Sequence, residues 1–230
     1  MTLLLLLLGL GAMELRTPVE EALVELGAAQ REGDAAAAAR LLAELGELHA
    51  FTASDAERHA IVAALGEGAK SRDRAAATAA LRGLGATGSE EAVAHLEPFL
   101  RSLVVVAEEL PLRIEAVRAA GALHAPSLLM PLLHLARKCE ETTVAEQAFL
   151  ALGDYCRAAV PLRAQAVAKV LEAGIALERA SGREAVRARR LRAPMLRALQ
   201  RLVGRPLNST EQFADWWAAV KERKDPFAPG

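Results

Sequence analysis

The chain has 230 residues, a formal net charge of −1, and a hydrophobic content of 53% in which aromatics contribute only 3%. The apolar residues are mostly Ala and Leu, and β-branched runs are almost absent outside Leu103–Val106, a bias that favours helices over sheet. The near-neutral total hides an asymmetry: residues 1–115 carry 10 basic and 18 acidic side chains, residues 116–230 carry 18 and 11. Such a field can orient a partner or drive head-to-tail association, but it is no argument by itself for nucleic acid.

The opening run MTLLLLLLGLGA (1–12) looks like the apolar core and cleavage region of a secretory signal without its basic start. At roughly ten apolar residues it is too short to span a bilayer, which takes about 20. Two readings stand. A signal remnant implies an exported or periplasmic protein; an upstream extension of a chain starting at Met13 implies a cytoplasmic one.

Residues 13–32 are expected to form an N-terminal cap whose helix runs from about Pro18 to Gly27, with Thr17 as N-cap and Pro18 at the first helical position. Beyond it the chain pulses. Leu26, Leu45, Leu65, Leu84, Leu103 and Leu123 recur at steps of 19, 20, 19, 19 and 20 residues. Four of them close a cassette, ALVELG (22–27), LLAELG (41–46), IVAALG (61–66) and ALRGLG (80–85), in which the apolar positions share one helical face and the final Gly suits a left-handed helix end. A helix and turn every ~20 residues makes a hairpin every ~40, and the helices ending at Leu45 and Leu65 form the first clear one.

From Arg74 the text RAAATAALRGLGATGSEEAVAHLEPFL (74–100) resembles a HEAT repeat of the short bacterial kind. An Arg opens the helix, Ala77 and Ala80 precede Leu84, and Gly85 follows it. Arg113, Ala116, Ala119 and Leu123 repeat the offsets, with His124 in place of the Gly. Ala145, Ala148, Leu152 and Gly153 do so again, with Thr142 where the Arg would stand, and Arg192, Ala198 and Leu202 once more. The resemblance covers about 33–222 and implies an all-α, HEAT/armadillo-like right-handed α-α solenoid. Pro194 either kinks its helix or marks a restart. The terminal helix, 209–222, carries Ser209 and Gln212 as a capping box and Phe213, Trp216 and Trp217 on one face, suited to closing the array. Residues 223–230 read as a flexible tail.

No P-loop, dinucleotide fingerprint, GxSxG elbow or HExxH segment is present, and His49, His59, His95, His124 and His134 are scattered without ligand spacing. No catalytic residue, metal site or cofactor is expected. Cys139 and Cys156 are either a disulfide, if the protein is exported, or two small apolar core residues. The strongest candidate for binding is the cluster Arg183, Arg187, Arg189, Arg190, Arg192, Arg197, Arg201 and Arg205, opposed in that span only by Glu184. Arg187, Arg190, Arg197 and Arg201 fall on one stripe and are the expected partner-binding residues. The reading is a non-catalytic protein-interaction scaffold with an acidic protein partner. No aromatic residue is interleaved for base stacking, so a nucleic-acid module on the same arginines is the alternative. The resemblance leaves as a third class a HEAT-type enzyme such as a lyase or DNA-repair glycosylase.

Overall fold

The structure is a computed structural model that describes residues 16–228, so the candidate signal (1–12) and Met13 lie outside the described residues. Among the described residues eleven α-helices follow in chain order: α1 Pro18–Glu32, α2 Ala35–Leu48, α3 Asp55–Gly68, α4 Arg74–Thr87, α5 Ala92–Arg101, α6 Leu110–Leu123, α7 Pro126–Lys138, α8 Thr142–Asp154, α9 Val160–Glu178, α10 Gly182–Val203 and α11 Thr210–Val220. There is no strand among the described residues.

Local chemistry explains most of the helix starts. Thr17 and Glu20 form a reciprocal capping box at α1, and the side chains of Asp34, Ser54, Asp73 and Glu141 accept from backbone N–H groups at the starts of α2, α3, α4 and α8. Pro111, Pro126 and Pro161 open α6, α7 and α9, where a missing N–H costs nothing. Ser209 caps α11 by accepting from Gln212 N–H, while the Gln212 amide oxygen accepts from Asn208 N–H instead of closing the box on Ser209. Pro194 does not interrupt α10, which runs through it as one helix.

The helices stack in two layers. In one, α2, α4, α6, α8 and α10 pack intimately in sequence; in the other, α1, α3, α5, α7, α9 and α11 touch their neighbours sparsely. Each odd-numbered helix pairs chiefly with the even-numbered helix that follows it, giving the hairpins α1/α2, α3/α4, α5/α6, α7/α8 and α9/α10. The first hairpin is therefore α1/α2, not α2/α3 as the sequence suggested, and α1 is half of a repeat as well as an end. The core lies between the layers: Leu45, Leu65, Leu84, Leu152 and Leu202 are fully buried, and Leu26 and Leu123 nearly so. Leu103 keeps the pulse but sits in the α5–α6 loop.

The cassette glycines have a different role from the one their position suggested. Gly27, Gly46, Gly66 and Gly85 lie inside helices, and the left-handed C-caps are Gly33, Gly88, His124 and Gly204. Gly46, Gly85, Gly121 and Gly153 instead form a seam down the even-numbered layer. A Cβ at Gly46 would lie 2.6 Å from Gly83 Cα, at Gly85 2.7 Å from Ala119 Cα, at Gly121 2.8 Å from Ala151 Cα, and at Gly153 3.1 Å from Ala198 Cα. No real Cβ tolerates the first three distances, so the helix spacing is set by the missing methyl groups.

At the C-terminal end two elements follow α10. α11 packs on α9 and closes the odd-numbered layer, with Phe213 buried and Trp216 and Trp217 half-buried. The segment expected as a tail folds back: Pro226 is buried, and the Phe227 ring stacks 6.3 Å from Trp216 and lies under the Arg163 guanidinium at 3.8 Å.

Candidate interaction surface

Helix α10 carries seven arginines and one glutamate, and its neighbours sort those arginines into distinct jobs. Ala198 meets Gly153, which fixes the side turned to α8. Leu191, Met195, Leu199 and Leu202 face the core. At 100° per residue, Arg190, Arg197 and Arg201 then project from the open face of the even-numbered layer, whereas Arg189 and Arg192 point along the flank away from α8.

The four predicted binding residues do not act alike. Arg187 is half-buried and donates to the Arg137 carbonyl at 2.7 Å and the Cys139 carbonyl at 2.8 Å, so it satisfies the C-terminal end of α7. It belongs to the frame, next to Arg137, Lys138 and Glu184 in a small hollow of about 110 Å³. Arg201 pairs with Asp154 at the end of α8. Arg190 and Arg197 are exposed and have no hydrogen-bond or ion-pair partner among the described residues. Arg197 and Arg201 join Arg205 around an open hollow of about 540 Å³ lined also by Leu150, Gln200 and Pro206.

Along the same face a polar ladder ties consecutive helices together. Arg82 Nε donates to Glu115 at 2.8 Å, Arg118 approaches the other oxygen of Glu115 at 3.4 Å, and Arg118 Nε donates to Gln147 at 3.2 Å. Asp154, which the sequence offers only as part of a polar turn after Gly153, and Glu115 are thus the acidic partners that consume arginines on this face. Their signal in the sequence is weak, because the pairs join residues 33 and 47 positions apart. After α8 the ladder ends with the Arg201–Asp154 pair.

Arg113, read from the sequence as a helix-opening residue, repeats the job of Arg187. It is 6% exposed and donates to the carbonyls of Phe99 and Ser102, closing the end of α5. Arg192, the sequence equivalent of Arg113, does not do this. It lies beside Leu177, Ala188 and Met195 on the outer flank of α10.

Both cysteines are free, so the candidate Cys139–Cys156 bridge is absent from the structure. Cys139 is buried at the end of α7, its Sγ 3.4 Å from the Leu103 carbonyl, and burial pushes its thiol up from the ordinary value. Tyr155 is likewise structural: its hydroxyl donates to the Ala125 carbonyl at 2.8 Å, and burial raises its pKa. Among the described residues no group of three or more His, Cys, Asp or Glu side chains is placed to hold a metal ion, and no helix is long and apolar enough to cross a membrane.

The chain matches no protein-family model, and no curated protein is found to match it.

Proposed function

We propose that this chain is a non-catalytic scaffold of the HEAT-like, right-handed solenoid type that binds an acidic protein segment on the even-numbered layer between α8 and α10. The repeated Arg/Ala/Leu spacing and the two-layer stack of hairpins support the architectural part. The observation that carries the binding part is the pair Arg190 and Arg197, exposed on one stripe of α10 and without an ion-pair partner among the described residues, with Arg197 lining the Arg197/Arg201/Arg205 hollow where the ladder of acidic partners ends. Guanidinium forks match carboxylates, and Leu150 adds an apolar floor.

Fluorescence anisotropy with a labelled poly-glutamate peptide and with a DNA duplex tests this. The expected result is peptide binding that weakens gradually with salt and drops at least tenfold in the Arg190→Glu/Arg197→Glu variant, with no duplex binding near physiological salt. Duplex binding whose log affinity falls with log salt at about −0.9 per phosphate neutralised, lost in the same variant, overturns the reading in favour of nucleic acid.

A further inference from the structure

The two ends of the stack are chemically complementary. At the C-terminal end, α11 covers α9 but leaves the flank of α10 that faces away from α8 open. Ala185, Arg189, Arg192 and Leu196 run along that flank at i, i+4, i+7 and i+11. Arg189 and Arg192 are exposed beside a hollow of about 350 Å³ lined by Leu177, Ala188 and Met195, with Glu178 as the one carboxylate against the two arginines. At the N-terminal end, residues 18–48 hold seven acidic side chains against Arg31 and Arg40. Glu44 stands exposed on α2 opposite the side that meets α4, and Glu21 and Val24 stand exposed on α1 opposite its buried stripe of Val19, Ala22, Leu26 and Ala29.

From this we infer that the C-terminal flank of α10 receives the acidic first hairpin of a second copy of this chain, head to tail. The contact uses Arg189 and Arg192, not the Arg190/Arg197 face assigned above to a partner, so the two interactions are independent. The glycine seam shows what kind of contact it is. In α4, α6 and α8 the residue that receives the preceding helix and the small residue that meets the next one are two positions apart: Gly83 and Gly85, Ala119 and Gly121, Ala151 and Gly153. Carried to the ends, the same register falls on Glu44 in α2 and on Gln200 in α10, whose amide is tied to the Leu207 carbonyl at 3.0 Å. Both are too large for backbone-to-backbone packing. A second copy therefore cannot extend the seam and docks through charged side chains over an apolar hollow, which makes the association heterologous, open-ended and sensitive to salt.

Sedimentation velocity of the full chain over a concentration series at low and high salt tests this. The expected wild-type behaviour is a mean mass that grows with concentration without a fixed endpoint and returns to monomer at high salt. Arg189→Glu/Arg192→Glu and Glu21→Lys/Glu44→Lys each weaken self-association at least tenfold. Their equimolar mixture associates again without a fixed endpoint, because the reversed ends match each other and the native ends left on the two variants match as well. A chain carrying all four substitutions associates again. Circular dichroism on each variant checks that the helices are retained, and the wild-type concentration series stands on its own if a variant fails to fold. A wild-type chain that stays monomeric at low salt, a closed dimer, or undiminished association in the Arg189→Glu/Arg192→Glu variant overturns the inference. Poly-glutamate binding through Arg190 and Arg197 is read separately, so the scaffold reading survives or fails on its own.

Discussion

Gly46 of α2 and Gly83 of α4 meet backbone to backbone, and a methyl group on Gly46 would stand 2.6 Å from the Gly83 Cα. Gly27 holds the same place in the preceding cassette, yet a Cβ there meets only the Arg31 guanidinium at 3.6 Å. One sequence motif thus serves two structural situations.

Gly46→Ala is expected to destabilise the protein by about 1–3 kcal/mol through overpacking, despite the helix-propensity gain of Ala over Gly. Gly27→Ala is expected to be neutral or stabilising by up to about 1 kcal/mol, since α1 is helical there and the space is open. Urea denaturation of both variants checks this. Equal losses would mean that both glycines act as left-handed caps.

Leu84 is fully buried between the layers, so Leu84→Ala should cost roughly 2–5 kcal/mol. Leu103 shares its spacing but lies half-buried in the α5–α6 loop, and Leu103→Ala should cost clearly less. Thermal melts followed at 222 nm rank the pair.

Arg187 and Arg190 separate frame from surface. Arg187→Ala removes the donor to the Arg137 and Cys139 carbonyls and should cost about 1–3 kcal/mol. Arg190→Ala, at an exposed position, should stay within about 0.5 kcal/mol of wild type. Poly-glutamate affinity should show the opposite ranking, falling in Arg190→Ala and holding in Arg187→Ala wherever the protein remains folded.

His49 is 7% exposed, and burial, aided by the Arg58 charge and opposed by Glu91, lowers its pKa from 6.5. Its folded-state pKa is depressed, so the unfolded chain takes up the proton first as pH falls. The stability tied to neutral His49 is present above pH 6.5 and is lost as pH drops below that value toward the folded pKa. Denaturation midpoints from pH 8 to 5 should decline more steeply in wild type than in His49→Gln.

Much of the fold was written in the sequence because it is local. The capping side chains at Thr17, Asp34, Ser54 and Asp73, the prolines opening α6, α7 and α9, and the apolar spacing around Leu45, Leu65 and Leu84 each act within one or two helical turns. The cluster of arginines in α10 was equally visible, since charge is a property of the text. Which of them faced outward was not. Arg187 sits on the same stripe as Arg190 and Arg197 by count, but the carbonyls that claim it belong to α7, 48 to 51 residues away.

By itself the sequence determined that the chain forms helices, roughly where they begin and which leucines they bury, because backbone hydrogen bonding and hydrophobic periodicity are settled by near neighbours. Only the tertiary structure decided which helices pair, that Gly46 and Gly85 set helix spacing instead of ending helices, and that Glu115 and Asp154 occupy Arg82 and Arg201 while Arg190 and Arg197 stay open. Those outcomes depend on steric fit and charge contact between residues tens of positions apart, and they exist only once the layers are stacked.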